Sequence, residues 1–235
     1  MTRAEEISAG LAAVNARIER ACAAAGRDPD EITLIVVTKT YPASDVELLA
    51  GLGVVDVGEN RDQEAAPKAA AVSAPVRWHF VGQLQRNKCR SVVTYADAVH
   101  SVDGVRLAET LAGAAQRHRE RALDVLVQVS IDGDPARGGA VRGGDADRDL
   151  ERVAAAVAEA PALRLAGVMA VAPMDWTPDA AFASLARTAV DLRAAYPEAT
   201  AISAGMSGDL EAAIVHGATH VRIGSAVLGT RDKLR

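Results

Sequence analysis

Cysteine, aromatic residues and long apolar runs are all scarce in this chain of 235 residues. Two cysteines, Cys22 and Cys89, are too few for a disulfide scaffold or a zinc site. Aromatic residues make up only 3% of the sequence and the net charge is -5, so nucleic-acid binding is not expected. No apolar run approaches the roughly 18 residues of a transmembrane helix, and residues 1–6 contain no apolar signal core. The composition therefore predicts a soluble, cytoplasmic protein that does not bind membranes.

The first helix is marked by apolar residues that recur at helical spacing from Ile7 to Ile18. Thr2 and Glu5 are placed to form a capping box at its start, and Gly26 is placed to end it. Eight β-rich runs follow, at 33–38, 54–58, 77–82, 97–101, 123–130, 163–169, 199–203 and 219–223. Helix-forming stretches separate these runs, at 43–52, 61–73, 86–94, 104–120, 146–159, 179–195 and 207–216.

Eight strand–helix units in about 200 residues predict an α/β fold, and they favour a compact (β/α)8 TIM barrel. Several of the strand candidates are almost continuously apolar, as strands of a parallel sheet covered on both faces are. An open doubly wound sheet remains an alternative, because alternation alone does not show closure. No linker or low-complexity tract interrupts the chain, so residues 1–235 are expected to form a single domain. The glycine-rich segment 132–144 is either a mobile loop on the face where barrel enzymes keep their sites or a surface insertion.

Lys39 ends the apolar run of the first strand candidate. Burial of an unpaired ammonium group is costly and lowers the pKa of a lysine. At the carboxyl end of a buried strand, such a lysine is a candidate nucleophile toward a carbonyl group. The alternative is an ordinary lysine that marks the point where the strand leaves the core.

Two segments near the C-terminus are candidates for binding phosphate. The stretch 203–211 is rich in serine and glycine and links the seventh strand candidate to a helix, and Arg222, Gly224 and Ser225 end the eighth strand candidate. Small residues let a ligand approach the backbone, and a serine at a helix start can donate to an anion. A capped helix and a terminal turn would explain each segment alone. In a closed barrel, however, both segments would meet Lys39 at one rim, where barrels often bind phosphate.

A reactive lysine, a phosphate cradle and an arginine together match the chemistry of pyridoxal 5'-phosphate. Lys39 would hold its aldehyde as a Schiff base, while Ser207, Ser225 and the backbone near Gly224 would hold its phosphate. Arg222 would face the pyridine nitrogen and, because arginine keeps its proton, that nitrogen would stay unprotonated. Such a cofactor is a weaker electron sink than one paired with a carboxylate, which favours storage or mild proton chemistry.

Short blocks of residues along the chain occur in a distinctive order and spacing. They are VTKT at 37–40, GEN at 58–60, QE at 63–64, WHFVG at 78–82, LQ at 84–85, NK at 87–88, HSVD at 100–103, GMS at 205–207 and VRIGS at 221–225. With these blocks the chain resembles, almost from end to end, the YggS/PROSC family of pyridoxal phosphate homeostasis proteins. The resemblance implies one barrel with an extra N-terminal helix, a fold-type III fold like the N-terminal domain of bacterial alanine racemase.

The resemblance also implies roles for individual residues. Lys39 would be the Schiff-base lysine and Arg222 the partner of the pyridine nitrogen. Six further residues would contact the cofactor: Asn60, His79, Met206, Ser207, Gly224 and Ser225. For His79, a hydrogen-bonded core histidine is the alternative. The resemblance implies no catalytic residue and no metal site. Members of the family bind the cofactor. The resemblance therefore implies a role in keeping the concentration of free cofactor low and in handing the cofactor to apoenzymes.

Three positions depart from the pattern of the family. Tyr41 stands where many members have lysine, and Gln83 stands where many have histidine. Arg137 stands where many relatives have a lysine. Because arginine does not readily form a Schiff base, a second lysine-linked cofactor site at that position is not expected.

An amino-acid racemase of the same fold type is the main alternative function. Racemisation needs acid–base groups on both faces of the bound amino acid, typically a lysine and a tyrosine. In alanine racemases the tyrosine comes from an additional domain of the partner subunit, whereas this chain ends at Arg235, soon after the eighth strand candidate. We therefore expect a monomer that carries the cofactor without robust turnover. A Schiff-base aldolase acting on a sugar phosphate would use the same lysine and phosphate cradle, but the motif set argues against it.

Overall fold

In the computed structural model, which describes residues 1–134 and 138–229, eight parallel strands form a closed barrel in sequence order. The strands are β1 (Thr33–Val37), β2 (Asp56–Glu59), β3 (Arg77–Phe80), β4 (Ala98–Val102), β5 (Leu123–Gln128), β6 (Leu163–Met169), β7 (Ala201–Ser203) and β8 (His220–Ile223). β8 pairs in parallel with β1, with Val36 opposite Ile223, and this pairing closes the barrel. The predicted (β/α)8 barrel is confirmed, and the open sheet is excluded. Arg137 lies outside the described residues.

Nine α-helices surround the barrel in the part of the chain that the structure describes. They are α1 (Arg3–Ala25), α2 (Ala43–Gly51), α3 (Asp62–Ala71), α4 (Cys89–Tyr95), α5 (Val105–His118), α6 (Leu150–Ala158), α7 (Pro178–Ala195), α8 (Leu210–Val215) and α9 (Ser225–Leu228). Short 3-10 helices lie at Pro29–Glu31 and Arg86–Lys88. None of the helices in the described ranges is both long and apolar enough to span a membrane.

Helix α1 begins and ends where the sequence predicts. The Thr2 side chain accepts from the Glu5 amide and the Glu5 carboxylate accepts from the Thr2 amide, which completes the capping box. Gly26 follows the last turn with φ +66, a left-handed conformation that glycine adopts without strain. The apolar residues of the predicted stripe, Ile7, Leu11, Val14 and Ile18, are all buried.

Helix α6 starts later than its sequence pattern indicates. The prediction placed its start at residue 146, but the helix begins at Leu150 because Asp149 caps it, its carboxylate accepting from the Arg152 amide. The residues before it form a turn in which the Asp145 carboxylate accepts from the amides of Asp147 and Arg148. Local side-chain hydrogen bonds here replace the first helical turn.

Candidate functional site

A cavity of about 680 Å³ opens at the carboxyl ends of the barrel strands. Its volume is in the range of roughly 300–1,000 Å³ that is usual for small-molecule sites. Seven of the eight residues predicted to contact a ligand line it together: Lys39, Asn60, Met206, Ser207, Arg222, Gly224 and Ser225. They come from the ends of β1, β2, β7 and β8, because parallel strands of a barrel bring their carboxyl ends to one rim.

Lys39 lies two residues beyond the end of β1, and its side chain is exposed at the cavity. The expectation that this lysine is buried is therefore wrong. Thr38 is the last fully buried residue of the segment, and the backbone turns immediately after Lys39. The amine is thus placed where a ligand in the cavity can reach it.

The backbone around Lys39 is held from several sides. The Thr38 carbonyl accepts from Lys68 Nζ at 2.8 Å and from the Tyr41 amide at 3.0 Å. Thr40 has φ +68, an unusual conformation for a β-branched residue, and its amide donates to Glu64 Oε2 at 3.1 Å. Strained backbone of this kind persists only where the surrounding contacts fix it, so the turn that presents Lys39 is well determined.

Lys68 and Glu59 form a buried ion pair behind this turn. The side chain of Lys68 is 8% exposed and that of Glu59 is 1% exposed. Glu59 Oε1 accepts from Lys68 Nζ and, at 2.6 Å, from Thr38 Oγ1, while Glu59 Oε2 has no partner within the described residues. Sequence reasoning missed Lys68. The available signal was its spacing of three residues from Ala65, which places both residues on the same buried face of α3.

Arg222 lines the inner part of the cavity and is nearly fully buried. Its Nη1 donates to Ser203 Oγ at 2.7 Å and its Nη2 donates to the Ala170 carbonyl at 2.9 Å. Burial lowers the pKa of Arg222 to about 10, so the guanidinium still carries its proton at neutral pH. A guanidinium has five N–H donors, more than these two hydrogen bonds use, which suits it to bind a ligand in the cavity.

The serines of the predicted phosphate cradle lie on two adjacent segments. Ser207 is in the connection between β7 and α8, and Ser225 is the first residue of α9. Gly205 begins the first segment with φ +92, and a Cβ there would lie 2.7 Å from Ala213 Cβ. Only glycine fits this turn, which brings Ser207 to the cavity.

His79 does not join the other predicted residues. It lies on β3 inside the barrel, and it lines a smaller cavity at the amino ends of the strands rather than the cavity of Lys39. Its Nε2 is 2.7 Å from Asp56 Oδ1, and its Nδ1 is 2.9 Å from His100 Nε2. These contacts fit the alternative of a hydrogen-bonded core histidine. They do not support a contact between His79 and a ligand in the cavity at the carboxyl ends of the strands.

His79 is part of a polar chain through the barrel interior, which sequence reasoning did not find. From Arg222 it passes to Ser203 Oγ, which is 2.9 Å from His100 Nδ1, and from His100 it continues through His79 to Asp56. Arginine can only donate and an ionised aspartate can only accept. With both rings neutral, the Ser203 hydroxyl would donate to His100 and each histidine would carry its proton on Nε2. Burial lowers the pKa of His100 well below its usual value, consistent with a neutral ring.

A nearby histidine makes the stability of the fold sensitive to acid. Burial lowers the pKa of His220 from 6.5 to about 4. Between these values the unfolded chain binds more protons than the native state, so stability falls as pH decreases from about 6.5 toward 4. For this one group the loss reaches roughly 3 kcal/mol. Urea unfolding at a series of pH values should show a shallower acid loss for His220→Gln than for the wild type.

The exposed His118 provides the matched control for this measurement. A His118→Gln variant is expected to keep the acid dependence of the wild type, because its side chain lies in water at the end of α5. Equal acid slopes for the wild type and His220→Gln would contradict the assignment to His220.

Comparison with known sequences gives one consistent family. The model of the alanine racemase N-terminal domain matches residues 10–232. The pyridoxal phosphate homeostasis protein of Mycobacterium tuberculosis H37Rv is 43% identical over 245 residues, which cover 97% of this chain and 94% of that protein. The protein of the same name from Escherichia coli K12 is 38% identical, with 97% of each chain covered.

Solved structures agree with the sequence comparison. PipY of Synechococcus elongatus, in a structure with PLP bound, is 31% identical and has a TM-score of 0.74, covering 91% of this chain and all 100% of that chain. An alanine racemase from Corynebacterium glutamicum is 16% identical, with a TM-score of 0.68 over 99% of this chain and 64% of that chain. At this identity, the second likeness concerns the fold alone.

Proposed function

Because this chain belongs to the alanine racemase N-terminal domain family and, within it, to the pyridoxal phosphate homeostasis proteins, we propose that it binds pyridoxal 5'-phosphate and takes part in intracellular homeostasis of that cofactor. The observation that carries this proposal is the convergence of one amine, one guanidinium and two serine hydroxyls on a single cavity. These groups belong to Lys39, Arg222, Ser207 and Ser225. The structure of PipY with PLP bound supports the same ligand.

The amine of Lys39 fits the aldehyde of this ligand. When bound, pyridoxal phosphate supplies an aldehyde that a primary amine can take up as a Schiff base. Lys39 presents such an amine at the cavity, on a turn that the contacts of Thr38 and Thr40 hold in place. These contacts fix the backbone from which the amine extends into the cavity.

The serine segments fit the phosphate group. The hydroxyls of Ser207 and Ser225 can each donate to a phosphate oxygen. Gly224 precedes Ser225 and has no side chain, so its backbone is open to a ligand in the cavity. A Cβ there would lie 3.3 Å from the Val37 carbonyl oxygen, which shows how closely this segment approaches β1. Met206 and Asn60 complete the lining with one apolar and one amide side chain.

Arg222 fits the pyridine nitrogen. Its guanidinium would donate a hydrogen bond to that nitrogen and, because arginine keeps its own proton, the nitrogen would remain an acceptor. A ring nitrogen without a proton withdraws electrons less strongly than a protonated one. This residue therefore favours holding the cofactor over reactions that need a stabilised carbanion.

The tyrosines of the chain favour a carrier over a racemase. Among the described residues, Tyr41 is the one tyrosine that lines the cavity, and it follows Lys39 by two residues. Its hydroxyl donates to the Gly229 carbonyl at 2.5 Å. Tyr95 lies near Asp62, and Tyr196 follows α7. We therefore infer a carrier or regulator of the cofactor rather than a racemase. As part of the same proposal, a role in homeostasis implies a cytoplasmic location and PLP-dependent apoenzymes as recipients.

An absorbance measurement with covalent trapping tests the proposal. Purified protein mixed with pyridoxal phosphate should turn yellow, and borohydride should remove the colour and leave a mass label on the Lys39 peptide. A label on another residue, or none at all, would refute the proposed site. Exchange of the α-proton of alanine in heavy water should not exceed that with free cofactor, whereas rapid exchange would favour a racemase.

A further inference from the structure

Helix α1 lies outside the barrel but contacts both segments that carry the cavity serines. Ser207 lies just before α8, and Ser225 begins α9. The apolar face of α1 forms one buried cluster with residues of these two helices, containing Ile7, Leu11, Val14 and Ile18 of α1 with Leu210, Ile214, Val227 and Leu228. Helices of six and four residues are too short to be stable alone, so their positions depend on what they pack against.

Arg17 of α1 reaches the first of these segments. Its Nη1 donates to the carbonyl oxygen of Ser207 at 2.9 Å. Its Nε and Nη2 donate to the two carboxylate oxygens of Glu211, at 2.7 and 2.8 Å. This two-point contact fixes the plane of the guanidinium, so Arg17 holds the Ser207 backbone and the first turn of α8 together.

Gly10 of α1 meets the second segment. A Cβ on Gly10 would lie 2.3 Å from the Val227 carbonyl oxygen and 2.9 Å from the Val227 Cα. Both neighbours are backbone atoms, which cannot move aside as the end of a side chain can. The absence of a side chain at Gly10 therefore allows α1 to support α9 directly, just beyond Ser225.

We infer that α1 is a brace for the phosphate end of the cavity, and that Arg17 and Gly10 are positioning residues that set the spacing of Ser207 and Ser225. This inference rests on the proposed function. Arg222, by contrast, is held by Ser203 and Ala170, which belong to the barrel. A defect in the brace should therefore weaken recognition of phosphate and leave recognition of the pyridine ring almost unchanged.

Comparison of pyridoxal phosphate with pyridoxal, which lacks the phosphate, tests this inference. An Arg17→Gln variant is expected to bind pyridoxal phosphate about tenfold more weakly, with less than about a twofold change for pyridoxal. Gly10→Ala should likewise weaken the binding of pyridoxal phosphate more than the binding of pyridoxal. Pyridoxal closes partly to an internal hemiacetal, but that equilibrium is a property of the free ligand and cancels between variants.

Arg20 supplies the matched control. It lies one turn from Arg17 on α1, is exposed, and is close enough to Glu211 to lower the pKa of that carboxyl. Within the described ranges it makes no hydrogen bond to the Ser207 segment. Arg20→Gln removes the same charge, and both affinities should stay at the wild-type level.

The outcomes separate the inference from the proposed function. Equal weakening of both ligands by Arg17→Gln, or no weakening of either, would overturn the brace while the wild type still forms its label on Lys39. Failure of the wild type to take up pyridoxal phosphate would instead refute the proposed function. If Gly10→Ala does not fold, Arg17→Gln alone decides the question, with its thermal unfolding curve as the check of folding.

Discussion

A Lys39→Met variant is expected to lose all covalently held pyridoxal phosphate while its fold remains intact. Among the described residues, Lys39 is the only lysine that lines the cavity. Its side chain is exposed, so the substitution removes little packing, and the free energy of unfolding should change by less than about 0.5 kcal/mol. Absorbance after mixing with the cofactor, followed by borohydride and mass spectrometry, should show no adduct.

The other described lysines show why the loss should be complete. Lys68 is engaged by Glu59 and the Thr38 carbonyl, and Lys88 lies in a neighbouring cavity, 3.8 Å from Asp62. Lys88→Met is the matched control and should keep the adduct of the wild type. Weak non-covalent binding to Lys39→Met should persist through the cavity serines. A full adduct on any other lysine of Lys39→Met would contradict the site.

A Lys68→Met variant is expected to lower the free energy of unfolding by about 3–5 kcal/mol. The substitution leaves the Glu59 carboxylate buried without its cation, and one oxygen of that carboxylate already has no partner among the described groups. It also removes a donor from the Thr38 carbonyl, next to Lys39. Urea unfolding, with an unchanged m-value as the check for two-state behaviour, measures the loss.

The double variant Glu59→Gln with Lys68→Met distinguishes loss of charge balance from loss of packing. A neutral amide at position 59 can still accept from Thr38 Oγ1, and no buried charge remains. The double variant should therefore be more stable than Lys68→Met alone. A loss of less than about 1 kcal/mol in the single variant would show that the Glu59 carboxylate is not buried as a charge.

The fold follows from the sequence because its signals are local. The run 163–169 coincides with β6 as observed. Errors lie at the ends of both strands and helices, and at helix ends single side chains decide the boundary. At α6 the cap of Asp149 delays the helix, and the helix predicted over 86–94 divides into a 3-10 turn and α4. Periodicity locates elements, whereas caps set their ends.

The site follows from the sequence only where the fold itself brings strand ends together. Lys39 and Arg222 could be placed at one rim because β1 and β8 are neighbours in any closed barrel of this order. The ion pair of Lys68 with Glu59 and the hydrogen bond from Arg17 to the Ser207 carbonyl join residues of different elements, and no spacing rule predicts them. The exposure of Lys39 depends on the turn after it, which the apolar pattern does not describe.

The polar chain from Arg222 to Asp56 restricts how the interior of the barrel can vary. Arg222 can only donate at one end and the Asp56 carboxylate accepts at the other, so with neutral histidines each link between them accepts on the Arg222 side and donates on the Asp56 side. Amide or hydroxyl side chains can take such a place, whereas an aliphatic side chain ends the chain and leaves a buried neighbour unpaired. Across homologous barrels that share this chain, these interior positions are therefore expected to change in concert rather than singly.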